Sequence, residues 1–536
     1  MSAASDTLAV AWPFATTAAS TPDALLSAVL EQQKLIERQA KLDQQKTRII
    51  GNLETRVQVL EEQLRLERHR RFGGSSEAHA LQTALDLDDD TPQLADGDAD
   101  PDAAGDTDAP QDPDKPPRKR RGKKALSPDL PRIRREFLLS DAEREGAIDT
   151  FLTKVKEELD IVPARVQVIE YWQEKAIYLD EHGERAIRAA VRPAHPIGKG
   201  IASVNLLAWL VCSKVVDGLP LNRLALILAR YGGEIDRSTL AQWMISLHTA
   251  MAPLLARLEP HLLTSDYVQG DETRLQVLNE PGMTATGDRW IWVMRGGPPD
   301  KPVVMFNYDK SRGGAVAERL LSGFTGRYFQ SDGYAGYDAA CRAKKVVHLG
   351  CFDHARRKVV EAIKAQPKPA SGKPSKAMVM LSKIDALYRL ERQWKELDDD
   401  ERHERRQRQA VAKLAELKRW LELNAPKVAK DTLTRKAMSY ALNQWDHLVR
   451  YCEHGQLRIS NVLAENAIRP FAVGRRGWLF SSSPEGAKAL ATFFTLVESA
   501  KANGVEPYAY LQKVIGNIAA ADTDEALDAL LPWNVS

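Results

Sequence analysis

The sequence predicts a mixed α/β protein, and three features carry that reading. Between Tyr267 and Gly350 the apolar residues switch from a helical period to short alternating runs. Ahead of that stretch, Leu25 to Arg71 is free of proline and dense in Gln, Glu, Lys, Arg and Leu. Behind it, residues 360–450 are helical in pattern and heavily charged, with runs such as Glu401 to Arg408.

The chain has 536 residues, 43% of them apolar, enough for a substantial core and for about three or four domains. The formal net charge of +2 says little about partners, but acidic and basic residues are segregated into blocks. Cys212, Cys341, Cys351 and Cys452 are scattered without a CxxC pair, which excludes a disulfide framework and a paired-cysteine zinc ribbon and suits a reducing cytosol. The N-terminus lacks a basic segment followed by a long apolar run, and no stretch approaches the ~18 apolar residues of a membrane span. A soluble intracellular protein without a membrane partner is expected.

Residues 1–24, rich in Ala, Ser and Thr, read as a disordered N-terminus. In residues 25–72, Leu35, Leu42 and Ile49 recur at heptad spacing, and Leu53, Val57, Leu60 and Leu64 continue it after one stutter. That pattern predicts a coiled coil and, through it, a homodimer or higher oligomer; an amphipathic helix lying on a core is the alternative. Residues 73–131 read as a linker, acidic then basic. Twelve aspartates lie between Asp86 and Asp114, and Lys115, Arg118, Lys119, Arg120, Arg121, Lys123 and Lys124 follow. The basic cluster suits DNA phosphates by counterion release, or it neutralises the acidic run beside it.

Within residues 132–200, Arg165–Glu170 and Lys175–Asp180 read as two short strands, the second leading into a turn at His182-Gly183. Residues 201–260 read as a helix-turn-helix region. Ile201–Asp217 is one helix, Pro220 opens a second, Gly232-Gly233 breaks it, and Ser238 caps a third. Arg237, Thr239 and Gln242 would then project from the start of the reading helix toward bases.

Residues 261–358 carry the chemistry. Tyr267–Leu278, Arg289–Arg295 and Pro302–Tyr308 read as three strands and Gly313–Leu321 as a helix. Gly326–Gln330 then reads as a fourth strand ending at Ser331-Asp332, and Val346–Leu349 as a fifth beyond a brief helix. The order β-β-β-α-β-α-β-α is that of a ribonuclease-H-like core, in which the first and fourth strands are central neighbours. Asp271 and Asp332 would therefore converge. Residues 359–450 form a helical insertion, and residues 451–500 supply a further acid, Glu465, one turn into a helix for which Asn461 is the expected N-cap. Taken singly, each acid has an ordinary explanation, such as an i,i+4 pair of Glu465 with Arg469. Together they suit phosphodiester chemistry with two Mg²⁺ ions, which needs hard oxygen ligands and no nucleophilic side chain.

Gly270-Asp-Glu-Thr273, Gln330-Ser-Asp-Gly-Tyr-Ala-Gly-Tyr337 and Cys351-Phe-Asp-His-Ala-Arg-Arg-Lys358 resemble motifs of the transposases of insertion-sequence family sixty-six, TnpC type, of the DDE superfamily. So do Ala464-Glu-Asn-Ala-Ile-Arg-Pro470, Gly474–Phe480, Ala500–Gly504 and the terminal Leu530–Asn534, the last two within a C-terminal family segment, 501–536. The resemblance covers roughly residues 25 to 534 and implies that Asp271, Asp332 and Glu465 form the catalytic, metal-holding triad. It further implies Mg²⁺ (with Mn²⁺ as the alternative ion), cleavage of element ends, joining of 3′-hydroxyls to target DNA, accessory proteins of the element, and a bacterial cytoplasmic, nucleoid-associated location. Two departures stand out. The stretch 171–197 has none of the cysteines of the family's zinc ribbon, so structural zinc is not expected, and Ser460-Asn461-Val462 replaces the usual residues before the glutamate motif.

His354 and Arg357, with Arg356 and Lys358, begin a helix after the fifth strand and are expected near phosphate oxygens or in a structural role. Arg475 and Arg476 are expected either at the DNA end or in a solvated loop. A catalytically silent DNA-binding derivative and a structure-specific nuclease of the same fold stand as alternatives to an active transposase.

Overall fold

The structure, a computed structural model, describes residues 22–72, 132–134, 140, 151–154, 165–179, 185–198, 200–367 and 373–535. The expected linker at 73–131, with Arg118, Lys119, Arg120 and Arg121, lies outside the described residues, as do residues 1–21 and the turn at His182-Gly183.

The proline-free N-terminal segment is one 51-residue helix, α1 (Pro22–Phe72). Its heptad residues are largely exposed, from Leu42 at 46% to Leu35 at 66%. Its C-terminal end docks onto the remainder of the protein. Leu66 and Glu62 are buried there, and Arg65 Nε donates to the Ala365 carbonyl at 2.8 Å. A hairpin follows, β1 (Lys175–Leu179) antiparallel to β2 (Arg185–Ala189). The expected strand at Arg165–Glu170 is irregular chain instead, and β1 takes Arg185–Ala189 as its partner.

Three helices lead into the core: α2 (Val204–Val215), α3 (Leu221–Arg230) and α4 (Arg237–Leu263). The expected third helix is correct in place but not in size. It runs for 27 residues, accommodating Pro253 and Pro260, and its N-cap is Asp236, not Ser238. The two short helices expected around the glycine turn are therefore one short and one long.

The central sheet comprises β3 (Tyr267–Val277), β4 (Asp288–Gly296), β5 (Val303–Asp309), β6 (Tyr328–Gln330) and β7 (Val347–Leu349), each overlapping its expected strand. Its order is β5-β4-β3-β6-β7, with β3 and β6 parallel neighbours. Helices α5 (Gly314–Leu320) and α6 (Ala335–Lys344) fill the connections on either side of β6. After β7 come α7 (Phe352–Ala365), α8 (Lys376–Gln393), α9 (Asp399–Arg405), α10 (Val411–Asn424), α11 (Leu433–Asn443) and α12 (Trp445–Leu448). These helices enclose a second apolar core around Phe352, Met380, Leu417 and Met438. The charged run Glu401–Arg408 is not wholly a solvated face. Arg406 is only 2% exposed, paired with Glu391 at 2.6 Å and donating to the carbonyls of Tyr451, His454 and Gly455.

The chain returns to the sheet through α13 (Val462–Trp478), β8 (Phe480–Ser481), which pairs with the far end of β3, and α14 (Pro484–Ala502). An unpaired strand edge buried under a helix needs partners for its backbone groups. On β5, Ser499 Oγ accepts from Val304 N and donates to Val304 O, both at 3.0 Å, while Thr495 Oγ1 accepts from Phe306 N at 2.9 Å. Helices α15 (Pro507–Asn517) and α16 (Asp524–Asp528) close the chain against α2 and α4. Among the described residues, no helix is long and apolar enough to cross a membrane.

Candidate catalytic carboxylate site

Side chains alternate along a strand, so Tyr267, Gln269 and Asp271 share one face of β3. Gln269 stands in parallel register with Gln330 of β6, and Asp332 lies two residues beyond Gln330. The two buried glutamines join. Gln269 Nε2 donates to Gln330 Oε1 at 3.0 Å and to the Ser460 carbonyl at 3.1 Å, and its Oε1 accepts from Ala464 N at 3.2 Å. Gln330 Nε2 donates to the carbonyls of Gly350 and Arg458, each at 2.9 Å, and the Tyr267 hydroxyl donates to Gln330 Oε1. Ser460 and Ala464 flank the start of α13, the helix that bears Glu465. Asn461 is its N-cap, as expected, but its side chain makes no cap bond and instead donates Nδ2 to the Gly270 carbonyl at 3.3 Å.

Two glycines let the acids sit there. A Cβ on Gly270 would meet the Phe329 ring at 2.5 Å. Gly333, with φ +86°, makes the turn after Asp332, and a Cβ there would also meet Gln444 at 2.9 Å. Asp332 Oδ1 accepts from Tyr334 N at 2.9 Å, which fixes that turn from within. From the helical insertion, the Tyr440 hydroxyl donates to the Asp332 carbonyl at 2.6 Å.

The three predicted acids share one electrostatic neighbourhood. Burial holds the Asp271 carboxyl well above the usual range, and Glu465, Glu272 and Asp332 add to it by repulsion. Burial likewise pushes Glu465 up to about 7, against the pull of Arg357. Arg357 Nη2 lies 3.2 Å from Glu465 Oε2, so the ion pair at Glu465 is made by Arg357 and not by the i,i+4 Arg469 of the ordinary explanation. His354 Nδ1 stands 3.4 Å from Glu465 Oε1, but burial and Arg357 bring His354 down to about 4 and keep it neutral. The acids are not drawn onto a single point. Among the described residues, the groups whose donor atoms all come within 4.8 Å are Cys351–His354–Glu465 and Asp338–His348–His447. In the first of these, burial raises the Cys351 thiol well above its ordinary value.

Among the expected DNA contacts, Arg237 and Gln242 are exposed on the first turns of α4 and Thr239 is half-buried. Arg475 and Arg476 belong to the last turn of α13 rather than to a loop. Arg475 donates to Thr273 Oγ1 at 3.3 Å, and Arg476 is exposed. Several supporting groups escaped the sequence reading: Gln269, Gln330, Tyr440 and Glu272. The Glu272 side chain, 1% exposed, is held by Arg312 at 2.6 Å and by the Tyr337 hydroxyl at 2.8 Å. Arg312 in turn lies 4.8 Å from the Trp290 ring and 4.2 Å from that of Tyr334. A glutamine two residues before each strand acid was the available signal for the first two; nothing local marks Tyr440.

Residues 199–489 match the family described as Transposase IS66 family. The chain belongs to that family. Its role is accordingly that of a DNA-processing transposase. Residues 495–533 match the IS66 C-terminal element, and residues 59–135, which include the basic cluster, match Transposase C of IS166 homeodomain. Relatives in Sinorhizobium fredii (strain NBRC 101917 / NGR234) bear the description "uncharacterized protein". Protein y4qI is 33% identical over 439 residues, 78% of this chain and 79% of its own length. Protein y4jD is 30% identical over 404 residues, 73% of this chain and 76% of its own. Together the three family matches run from residue 59 to residue 533, apart from 136–198 and 490–494.

Two outcomes test this geometry. Gln269→Leu removes the amide while leaving Ala464 N and the Ser460 carbonyl buried, so denaturant unfolding should show a loss of about 3 kcal/mol. The second concerns charge. A carboxyl raised in the folded state binds its proton more tightly there than in the unfolded chain. Glu465 therefore contributes its full stability below about 4.5 and loses it as pH rises to about 7. By melting temperature, raising the pH from 5 to 8 should therefore destabilise wild type more than Glu465→Gln, whose side chain cannot ionise.

Proposed function

We propose that this IS66 protein is a DDE-type transposase that cleaves insertion-sequence ends and joins the 3′-hydroxyls to target DNA by two-metal-ion phosphoryl transfer. The observation that carries the reading is the shared charge of Asp271, Asp332 and Glu465, delivered by a strand, a strand end and a helix distant in sequence. The sheet order β5-β4-β3-β6-β7, with its two acid-bearing strands adjacent, supports a ribonuclease-H-like core.

The donor chemistry fits hard divalent cations. The acids offer carboxylate oxygens, and Glu465, Glu272 and Asp332 all repel charge on Asp271, which a dication would relieve. Bound Mg²⁺ would supply positive charge for the attacking and leaving oxygens of an in-line displacement. The chain's own residues do the rest. Asp271, Asp332 and Glu465 hold the ions, and Arg357 keeps Glu465 in place while offering its exposed guanidinium to phosphate. The neutral His354 packs beside Glu465 without adding charge. Arg475 and Arg476 line the route from β3 and contact the DNA end.

DNA recognition is assigned to the exposed start of α4, where Arg237, Thr239 and Gln242 lie, and to the basic cluster Arg118–Arg121, which falls within the homeodomain-described match. The exposed heptad face of α1 is assigned to pairing of two protomers as a coiled coil.

Purified protein with labelled inverted-repeat DNA and Mg²⁺ tests the reading. Wild type should cleave and join. Asp271→Asn, Asp332→Asn and Glu465→Gln should each bind DNA with wild-type affinity and lose at least about a hundredfold in both steps. Full activity in Glu465→Gln would remove Glu465 from the site.

A further inference from the structure

The row Val268–Phe329 of β3 and β6 continues into His348 of β7 and occupies the sheet face opposite Gln269, Gln330 and Asp271. On that second face lies a buried polar chain that the proposed chemistry does not use. Ser331 is fully buried and His348 is 3% exposed. His348 Nδ1 lies 2.7 Å from Asp338 Oδ1, and His348 Nε2 lies 2.8 Å from Ser331 Oγ. A carboxylate only accepts, so Nδ1 carries the proton. Burial lowers His348 and favours the neutral ring, so Nε2 carries the lone pair and the Ser331 hydroxyl donates to it. The direction of both bonds follows.

Two further groups hold the histidine backbone: His447 Nδ1 donates to the His348 carbonyl at 3.0 Å and Arg450 Nη1 to the same oxygen at 3.2 Å. Asp338, His348 and His447 also have metal-ligand composition. A dication there would displace a proton from a contact of hydrogen-bond length and would meet Arg342 and Arg450 beside it. Hydrogen bonding is therefore the better account of the cluster.

Its significance lies in what Ser331 precedes. Ser331 N donates to the Leu349 carbonyl at 3.1 Å, and the next residue is Asp332. We propose that Asp338, His348 and Ser331 form a positioning relay that fixes the peptide leading into Asp332 and so sets the aim of its carboxylate toward metal. None of the three touches substrate. The inference rests on the reading of Asp332 as a metal ligand, and outer partners of this kind typically change metal affinity about ten- to a hundredfold.

The test is Mn²⁺ binding to the full chain followed by electron paramagnetic resonance, with circular dichroism as the check on folding. Wild type should bind Mn²⁺, and Asp332→Asn should bind it far more weakly; equal binding by these two would sink the metal-ligand reading itself. Ser331→Ala, which deletes one atom and opens no large cavity, should weaken Mn²⁺ about tenfold while DNA binding is kept. Asp338→Asn keeps an acceptor for His348 Nδ1 and should stay near wild type, whereas Asp338→Leu should match Ser331→Ala. Wild-type Mn²⁺ affinity in folded Ser331→Ala would overturn the relay, whatever the strand-transfer activity of the protein.

Discussion

The buried amide pair Gln269–Gln330 is the interaction on which the arrangement of the site depends. Each glutamine stands two residues before a strand acid, and between them they bond across β3 and β6, to the loop after β7, and to both sides of the start of α13. Buried amides are costly when unpaired, so the network is satisfied in one relative placement of these elements and penalised in others. Asp271, Asp332 and Glu465 inherit that placement. The neutral network does what direct contact between three carboxylates could not, since their mutual repulsion would drive the elements apart.

That repulsion is the second constraint. Asp271 is held as a proton-binding group by burial and by three neighbouring acids, and Glu465 reaches about 7 even with Arg357 beside it. Such a pocket is destabilising when ionised, and the proposed Mg²⁺ would relieve that repulsion. The insertion between β7 and α13 contributes to the same end. Tyr440 and Gln444 reach the turn at Asp332 and Gly333, so these helices brace the loop as well as elaborating the fold. Meanwhile α1 is anchored near α7. Glu62 accepts from Leu433 N at 3.0 Å at the start of α11, and Arg70 pairs with Glu361 at 3.1 Å. The long helix is thus tied at one end to the helix that bears Arg357.

Local pattern made much of this legible. The five strands were readable as short apolar runs, several of them buried over consecutive residues, whose boundaries fall at Gly, Pro and Asp residues. Family motifs singled out Asp271, Asp332 and Glu465 where each alone had an ordinary explanation. What escaped depends on partners far along the chain. Arg165–Glu170 had strand-like composition, yet β1 pairs with β2 instead. Nothing in the charged run marked Arg406 as buried, but Glu391 and three carbonyls from near residue 450 bury it. Ser238 and Asp236 are both good caps, and the choice between them is one of chain geometry. Gln269 and Gln330 were visible as residues but not as a pair, because only the parallel register of β3 and β6 brings them together.

The central claim is that one metal site is assembled from β3, the end of β6 and α13. Replacing Mg²⁺ with Fe²⁺ and generating hydroxyl radicals cuts a polypeptide backbone beside the bound ion, so mapping the fragments locates the site without reference to DNA chemistry. Cuts clustered near Asp271, Asp332 and Glu465, suppressed by excess Mg²⁺, are the predicted result. Cuts confined to the neighbourhood of Asp338, His348 and His447, or none that Mg²⁺ suppresses, would contradict it.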